Sequence, residues 1–582
     1  MSILQEIRAV RENAGIWTRA DYTVLQFTGA DAAAWLHAQT TNEVKGLQSG
    51  EGGLQCLLDR TGRIQTVFSL HRWEDEYWAI IEKAQVAAVQ ARLESHLFLE
   101  KVSMTDVGAD TPQICIEGPR SRVFLSHVVE AASPEEAART LPETPNAFGP
   151  ARIDGKEVLV FQHSLSGEDG YLLLPAPGGA EALCEYLMDR GFDYLLTHVS
   201  QEARRVLRIE AGHPKFGVDI DTQCVVSETP LESEAVNYAK GCYLGQEVVA
   251  RLRAYGSPKQ MLTGLQMPDT GAQYPDAGTP LLVNGKKAGV MQSSAFSPVL
   301  GRWIGLASLD REHRVAGQEY AFSTGDGAQF TACVVALPHV EGQTRAAFAR
   351  RLYEEALDHF ERDLDDEDDA GIVLLKESIL LDPGFEDAYE ALGVILHRHH
   401  ELEEAIHYMK QLAILNPNCV MAHSNLSVFY VAKGMIQEAE EEKAIAGQLE
   451  FKRQLDTKEA EKHARAERER IMADARQKVE MFEEVLEIDP DDPIATMGLG
   501  SAYMQLEAYE EAIPPLRTAI ASQKDYSAAF LKLGKCYELL GRHEEAVDTY
   551  TQGIAVASRK GDLMPLREME RGLKGLKGRS EG

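Results

Sequence analysis

Lys240-Gly241-Cys242-Tyr243-Leu244-Gly245-Gln246-Glu247-Val248-Val249-Ala250-Arg251 (KGCYLGQEVVAR) is the stretch from which the rest of the chain is read. Glycines flank the cysteine, and the apolar Val248-Val249-Ala250 run reads as a helix. In that helix Glu247 and Arg251 stand four apart, an acid before a base on one face. The glycine turn then lies at the helix start, where free backbone N–H groups and the positive dipole end favour an anion. Cys242, next but one to Lys240, is there a candidate reactive thiol. The competing reading is an inert cysteine packed at a loop-to-helix junction, which is how most single cysteines sit.

Upstream, ARRVLRIEAG (203–212) has the period of a helix, with Arg204 and Arg208 on one face. Two guanidinium groups so placed either clamp a carboxylate or form a solvated basic stripe. Two strands in VLVFQHSLSGEDGYLLLP flank Ser166-Gly167-Glu168-Asp169-Gly170-Tyr171, which by spacing alone is a hairpin turn. Residues 21–110 read as mixed α/β. TVLQFTG is a strand, Asp31 caps a helix DAAAWLHAQTTNEV, and LQCLLD and IQTVFSLHRW form a hairpin around Arg60-Thr61-Gly62-Arg63. YWAIIE is a further strand and KAQVAAVQARLESHLF a helix. Residues 111–200 follow a related plan, with strand Gln113–Glu117 and helix SRVFLSHVV.

The central twelve residues resemble the signature K-G-C-[YF]-x-G-Q-E-x-x-[AS]-R of the YgfZ/Iba57 proteins, folate-binding factors of iron–sulfur cluster maintenance. These are relatives of the aminomethyltransferase (T-protein) of glycine cleavage. Lys240, Gly241, Cys242, Tyr243, Gly245, Gln246, Glu247 and Arg251 fill its specified positions. Residues 203–221 resemble the family's A-R-D-x-L-R-x-E-A-G segment and its following loop, with Arg205 in place of the Asp. The resemblance implies tetrahydrofolate as cofactor. Glu168 and Tyr171 would sit at the pterin, where a carboxylate accepts from adjacent ring donors. Arg204 and Arg208 would hold the glutamate tail.

From Ser257 the character changes. LTGLQM, TPLLVNGKKAGVMQSS, GRWIGLASL, QEYAFST and AQFTACVVAL are short strands at the spacing of a small antiparallel barrel, with Asn284-Gly285 a strong hairpin signal. Beyond Gly342 the sequence is helical with a period near 34 residues. Tyr389, Leu392, Gly393, Ala405 and Pro417 stand at tetratricopeptide spacing, and later units repeat it through Leu499, Gly500 and Tyr503, then Leu533, Gly534 and Tyr537. A long charged helix at 437–475 interrupts the array. The acidic run at 361–369 reads as a solvated loop, and His397, His399 and His400 as surface histidines with no metal assigned.

The 582 residues carry a formal charge of −32, which excludes a general nucleic-acid binder. Eight scattered cysteines with no C-x-x-C pair suggest neither a disulfide framework nor a zinc site, and point to a reducing compartment. With no apolar run long enough to cross a bilayer, a cytoplasmic protein is expected.

The expected architecture is an α+β, T-protein-like region at 1–256, a β-barrel at 257–340 and an all-α tetratricopeptide solenoid at 341–575. The expected function is a folate-dependent factor for assembly or repair of iron–sulfur proteins, whose repeats recruit client or assembly proteins. A tetrahydrofolate-dependent aminomethyl or one-carbon transferase is the alternative, and a non-catalytic scaffold the third.

Overall fold

The computed structural model describes residues 2–256, 258–269, 275–324, 327–362 and 369–580. Helix α1 (Ile3–Glu12) is followed by β1 (Gly15–Arg19), β2 (Tyr22–Thr28) and α2 (Ala32–Gln39). A hairpin of β3 (Gly52–Leu58) and β4 (Ile64–Trp73) leads to β5 (Glu76–Glu82), α3 (Lys83–Glu94) and β6 (Ser103–Asp106). Next come β7 (Gln113–Glu117), α4 (Ser121–Val128), α5 (Pro134–Thr140) and β8 (Phe148–Ile153). β9 (Lys156–Gln162), β10 (Gly170–Pro175), α6 (Ala180–Arg190) and the short β11 (Thr197–His198) follow. Helices α7 (Gln201–Glu210), α8 (Glu232–Ala235) and α9 (Gln246–Tyr255) close this region.

The strands make two sheets, ordered β3-β4-β5-β2-β6 and β11-β1-β7-β10-β9-β8. Alternation sorts their faces. In β7, Ile114 and Ile116 join Tyr171 and Leu173 in a core under α4, α5 and α6, while Cys115 belongs to the opposite face with Trp17 and Leu172. That opposite face meets the other sheet: Cys56, Leu58, Ile64 and Ile80 share one core with Trp17, Phe148 and Phe161.

Two expected helices are shorter here, and α3 ends at Glu94, short of Phe98. Helix α2 stops at Gln39 instead of running through Val44, and Asp31 makes no side-chain cap to it. Asp31 accepts instead from the backbone of Lys101. The helix ends because Lys240 takes the carbonyls of His37, Thr40 and Asn42, which pulls the chain out of the helical path.

The barrel forms as expected from β12 (Gln260–Met267), β13 (Pro280–Val283), β14 (Lys286–Ser297), β15 (Arg302–Asp310), β16 (Glu319–Ser323) and β17 (Gln329–Val335). It is closed, in the order β12-β15-β14-β13-β16-β17, with Asn284-Gly285 turning β13 into β14. Each of the six strands therefore has a neighbour on both sides, β13 and β16 meeting at Leu282 and Ser323.

The helical region comprises α10 (Arg345–Arg362), α11 (Asp369–Leu381), α12 (Glu386–Arg398), α13 (Leu402–Leu415) and α14 (Val420–Lys433). It continues with α15 (Ile436–Ile488), α16 (Pro493–Gln505), α17 (Tyr509–Ser522), α18 (Ser527–Leu539), α19 (His543–Lys560) and α20 (Leu563–Ser580). The glycines of the repeat pattern explain its spacing. A Cβ on Gly393, Gly500 or Gly534 would meet Met409, Leu516 or Tyr550 within 2.5 Å, so each is where two helices of a hairpin close. The long helix reaches Ile488, well past the expected end at 475. Residues 363–368 of the acidic run lie outside the described residues. His397 stacks on Phe429 with ring centroids 4.5 Å apart, a packing role.

Compactness divides the chain into residues 1–439 and 440–582, a boundary inside α15. The first helices therefore group with the α+β half. Val123 of α4 and Ala138 of α5 share a core with α10–α14, and Arg120 pairs with Glu377 at 3.3 Å. No described helix is long and apolar enough to cross a membrane.

Candidate functional site

The central motif divides into an anchor, an exposed loop and a helix start. Helix α9 begins at Gln246 behind Gly245, whose φ of 85° suits glycine. A Cβ on Gly245 would lie 2.6 Å from the carbonyl oxygen of Asp59 and 3.1 Å from Cα of Gly62. The β3–β4 turn therefore packs backbone to backbone against the helix start, joining two motifs that lie some 180 residues apart in sequence. Cys242 is exposed, and all eight cysteines are unpaired. Tyr243 turns inward and is buried.

Lys240 is 7% exposed, and its ammonium group donates to the carbonyls of His37 at 2.8 Å, Thr40 at 2.7 Å and Asn42 at 2.6 Å. An ammonium has three donors, so none is left for the sulfur. The cation sits at the negative end of α2 and pins the loop that carries Cys242. Glu247 and Arg251 are both exposed and form no ion pair among the described residues, contrary to the expected helix-face pair. Arg251 instead lines a concavity against the barrel.

The residues expected at a folate pocket are dispersed. Glu168 is 3% exposed, and its Oε1 accepts from Arg11 at 2.7 Å while Oε2 accepts from the backbone of Gln343 at 2.9 Å. Arg11 reaches with its other nitrogen to Glu210 at 2.7 Å, which also accepts from Ser297 of β14. Asp169 takes both guanidinium arms of Arg345 at 2.8 Å. A Cβ on Gly342 would fall 1.9 Å from the carbonyl oxygen of Gly167, so the segment entering α10 lies flat on the Ser166–Asp169 turn. This turn is a docking point for the protein's own helical region, not an open acceptor. Tyr171 is wholly buried, and its hydroxyl accepts from Arg122 in the core. Arg208 is tied to Asp219 and to Ser293 of β14. Arg204 alone of the pair faces the sheets, donating to the carbonyl of Thr18 at 3.2 Å with its Nε buried and unpartnered.

Sequence reading missed a polar cluster between the two sheets. The Arg19 guanidinium lies 3.4 Å above the Tyr22 ring and 3.0 Å from Nε2 of His163. Burial, and next the Arg19 charge, hold His163 well below its ordinary pKa, so the ring is neutral and accepts from Arg19. Opposite Arg19 in the β1–β7 ladder stands Gln113, fully buried, with neither amide atom hydrogen-bonded. A buried amide without partners is costly enough to need a reason. Around the cluster His71 meets Phe148 and Phe161 edge-on, and Trp73 lies against Phe148. Burial pushes the Cys115 thiol up to about 12, so it is no nucleophile. The signal was available: Arg19 and Gln113 are polar residues at inward positions of apolar strands, and His163 directly follows β9.

Burial also pushes His71 and His339 down to about 4 from the usual 6.5. Between pH 6.5 and 4 the unfolded chain binds protons that the folded chain refuses, so stability present above 6.5 is lost as pH falls through that window. Each histidine contributes roughly 3 kcal/mol at full extent. Glu117, raised to about 6 by burial, opposes this with roughly 2 kcal/mol between pH 6 and 4.5, because its folded form takes the proton first. The net expectation is acid destabilisation. All five tryptophans lie at or before Trp303, so their fluorescence in urea reports this region. The midpoint should fall between pH 7 and 4.5, and less steeply in His71→Gln; identical acid limbs would refute the assignment.

Residues 1–240 match the GCVT N-terminal domain and residues 260–341 the glycine cleavage T-protein C-terminal barrel domain. Residues 474–522 and 529–564 match tetratricopeptide repeats. The aminomethyltransferase of Halalkalibacterium halodurans is 28% identical over 348 residues, covering 58% of this chain and 89% of that protein. The aminomethyltransferase of Bacillus subtilis is 26% identical over 314 residues, covering 53% and 83%. The crystal structure of glycine cleavage system aminomethyltransferase T from Bartonella henselae shares the fold, with a TM-score of 0.51 and 23% identity over 59% of this chain and 90% of that one.

Proposed function

Starting from a chain that joins the two domains of the T-protein/aminomethyltransferase superfamily to tetratricopeptide repeats, we propose a folate-dependent factor for assembly or repair of iron–sulfur proteins, acting in the cytoplasm. The observation that carries this reading is Cys242. It is the exposed thiol of the chain, displayed on a loop fixed by the Lys240 anchor and the Gly62–Gly245 contact. A sulfur held outward on a fixed loop serves contact with another molecule. Helical repeats supply surfaces for the client or assembly protein.

The polar cluster between the sheets is where we place tetrahydrofolate. Gln113 offers an amide donor and acceptor side by side to a pterin edge, and Arg19 and Arg204 balance a carboxylate tail. Trp73 and the mutually stacked Phe148 and Phe161 form the apolar packing beside it. Glu168 and Arg208 do not fit, because their charged atoms are paired within the protein. Bound there, tetrahydrofolate would supply one-carbon chemistry at its N5 and N10 nitrogens.

Two measurements test the reading. In cells, Cys242→Ser should lower the activity of iron–sulfur enzymes while the protein remains present. By calorimetry, the full chain should bind tetrahydrofolate, and Gln113→Leu should weaken that binding about tenfold, the effect of one or two lost hydrogen bonds. Full iron–sulfur activity with Cys242→Ser, or no folate binding by the unaltered chain, would end the proposal. The similarity to aminomethyltransferases favours one-carbon transfer as a second reading, and turnover of a lipoyl-bound aminomethyl substrate would select it.

A further inference from the structure

We propose that the concave face between α9 and the rim of the barrel binds a small ligand carrying several clustered negative charges, phosphoryl or carboxyl. The concavity measures about 990 Å³, room for a molecule of nucleotide size. Arg251 on α9, Lys259 before β12, Lys286 and Lys287 at the start of β14, and Arg311 after β15 line it. Four separate segments thus bring five cations to one hollow of a chain whose formal charge is −32. Two acids, Asp310 and Glu312, share the wall, and Asp310 accepts from Gln260.

Chance distribution on so acidic a chain would place carboxylates against these cations. Arg251, Lys259, Lys286 and Lys287 are nevertheless exposed and form no ion pair among the described residues. Beside them Arg314 donates to the carbonyl of Pro258, and its guanidinium is held below the usual arginine range by burial and next by the neighbouring Arg311 charge, with Glu228 acting the other way. Cations gathered in one hollow are stabilised by a shared counter-anion. Ammonium groups and planar guanidinium forks together suit clustered oxyanions better than a single carboxylate. The hollow is also partly walled by the apolar Leu252 and Pro258, which strengthens charge pairing relative to open solvent. The signature arginine thereby gains a role that its helix partner Glu247 does not provide.

The test is calorimetry on the full chain at low salt with two probes, ATP without metal and tetra-γ-glutamate. The double variant Lys286→Ala/Lys287→Ala removes two cations beside an exposed hairpin turn, where folding is undisturbed. Lys452→Ala/Lys458→Ala on α15 removes the same charge elsewhere. Saturable binding of ATP alone assigns the site to phosphoryl ligands, of tetra-γ-glutamate alone to carboxyl chains, and of both to clustered anions in general. In each case affinity should fall at least tenfold in the β14 variant and stay within twofold in the α15 variant, and 0.5 M salt should weaken it through screening. No saturable binding of either probe, or equal losses in the two variants, would overturn the proposal. Neither outcome bears on folate binding between the sheets.

Discussion

Arg11→Ala is expected to destabilise the tryptophan-containing region by about 3–5 kcal/mol, the range for removing one member of a buried ion network. Arg11 is 7% exposed and meets Glu168 and Glu210 at 2.7 Å each, and both carboxylates are buried. Its loss leaves two negative groups in the interior with only neutral donors, Gln343 and Ser297, beside them. The consequence spreads because the network joins α1, α7, the barrel and the segment entering α10. The triple change Arg11→Met, Glu168→Gln and Glu210→Gln should recover most of the loss, since an apolar and neutral interior needs no counter-charge. The measurement is the urea midpoint followed by tryptophan fluorescence. A shift equivalent to under about 1 kcal/mol for Arg11→Ala would place these charges in contact with water after all.

Lys240→Ala should cost about 3 kcal/mol, because three buried carbonyls at the end of α2 lose their donor together. Lys240→Arg should rescue little, since a planar fork cannot send three donors to carbonyls arranged around one nitrogen. Residues 240–246 should also become a site of limited proteolysis, as the loop loses its tether. An unchanged midpoint with unchanged protease resistance would show that the ammonium is not the anchor. The prediction separates two meanings of the motif: a lysine that tunes a neighbouring thiol, and a lysine that fixes where the thiol stands. The three occupied donors favour the second.

Much of the fold was legible because its causes are local. The β3–β4 hairpin, helix α7 and the strands of the barrel follow from alternation, 3.6-residue periodicity and turn residues such as Asn284-Gly285. The repeat glycines were read correctly as the places where helices close, since Gly393 abuts Met409 and Gly534 abuts Tyr550. Legibility stopped where a distant side chain intervened. Helix α2 had the pattern for a longer run, and Lys240, about 200 residues away, ended it.

The candidate site divides in the same way. The sequence by itself determined that a glycine-framed cysteine precedes a helix, that α+β segments and a barrel carry it, and that helical repeats follow. Only the tertiary structure decided which charges are available. Glu168 and Arg208 looked like ligand groups until Arg11, 157 residues from Glu168, and Asp219 closed on them. Gln113 looked like the first residue of a strand until both its amide atoms were buried without partners. Periodicity and turn chemistry depend on neighbours along the chain, whereas the free energy of a charge or an amide depends on burial and on groups that folding brings from elsewhere.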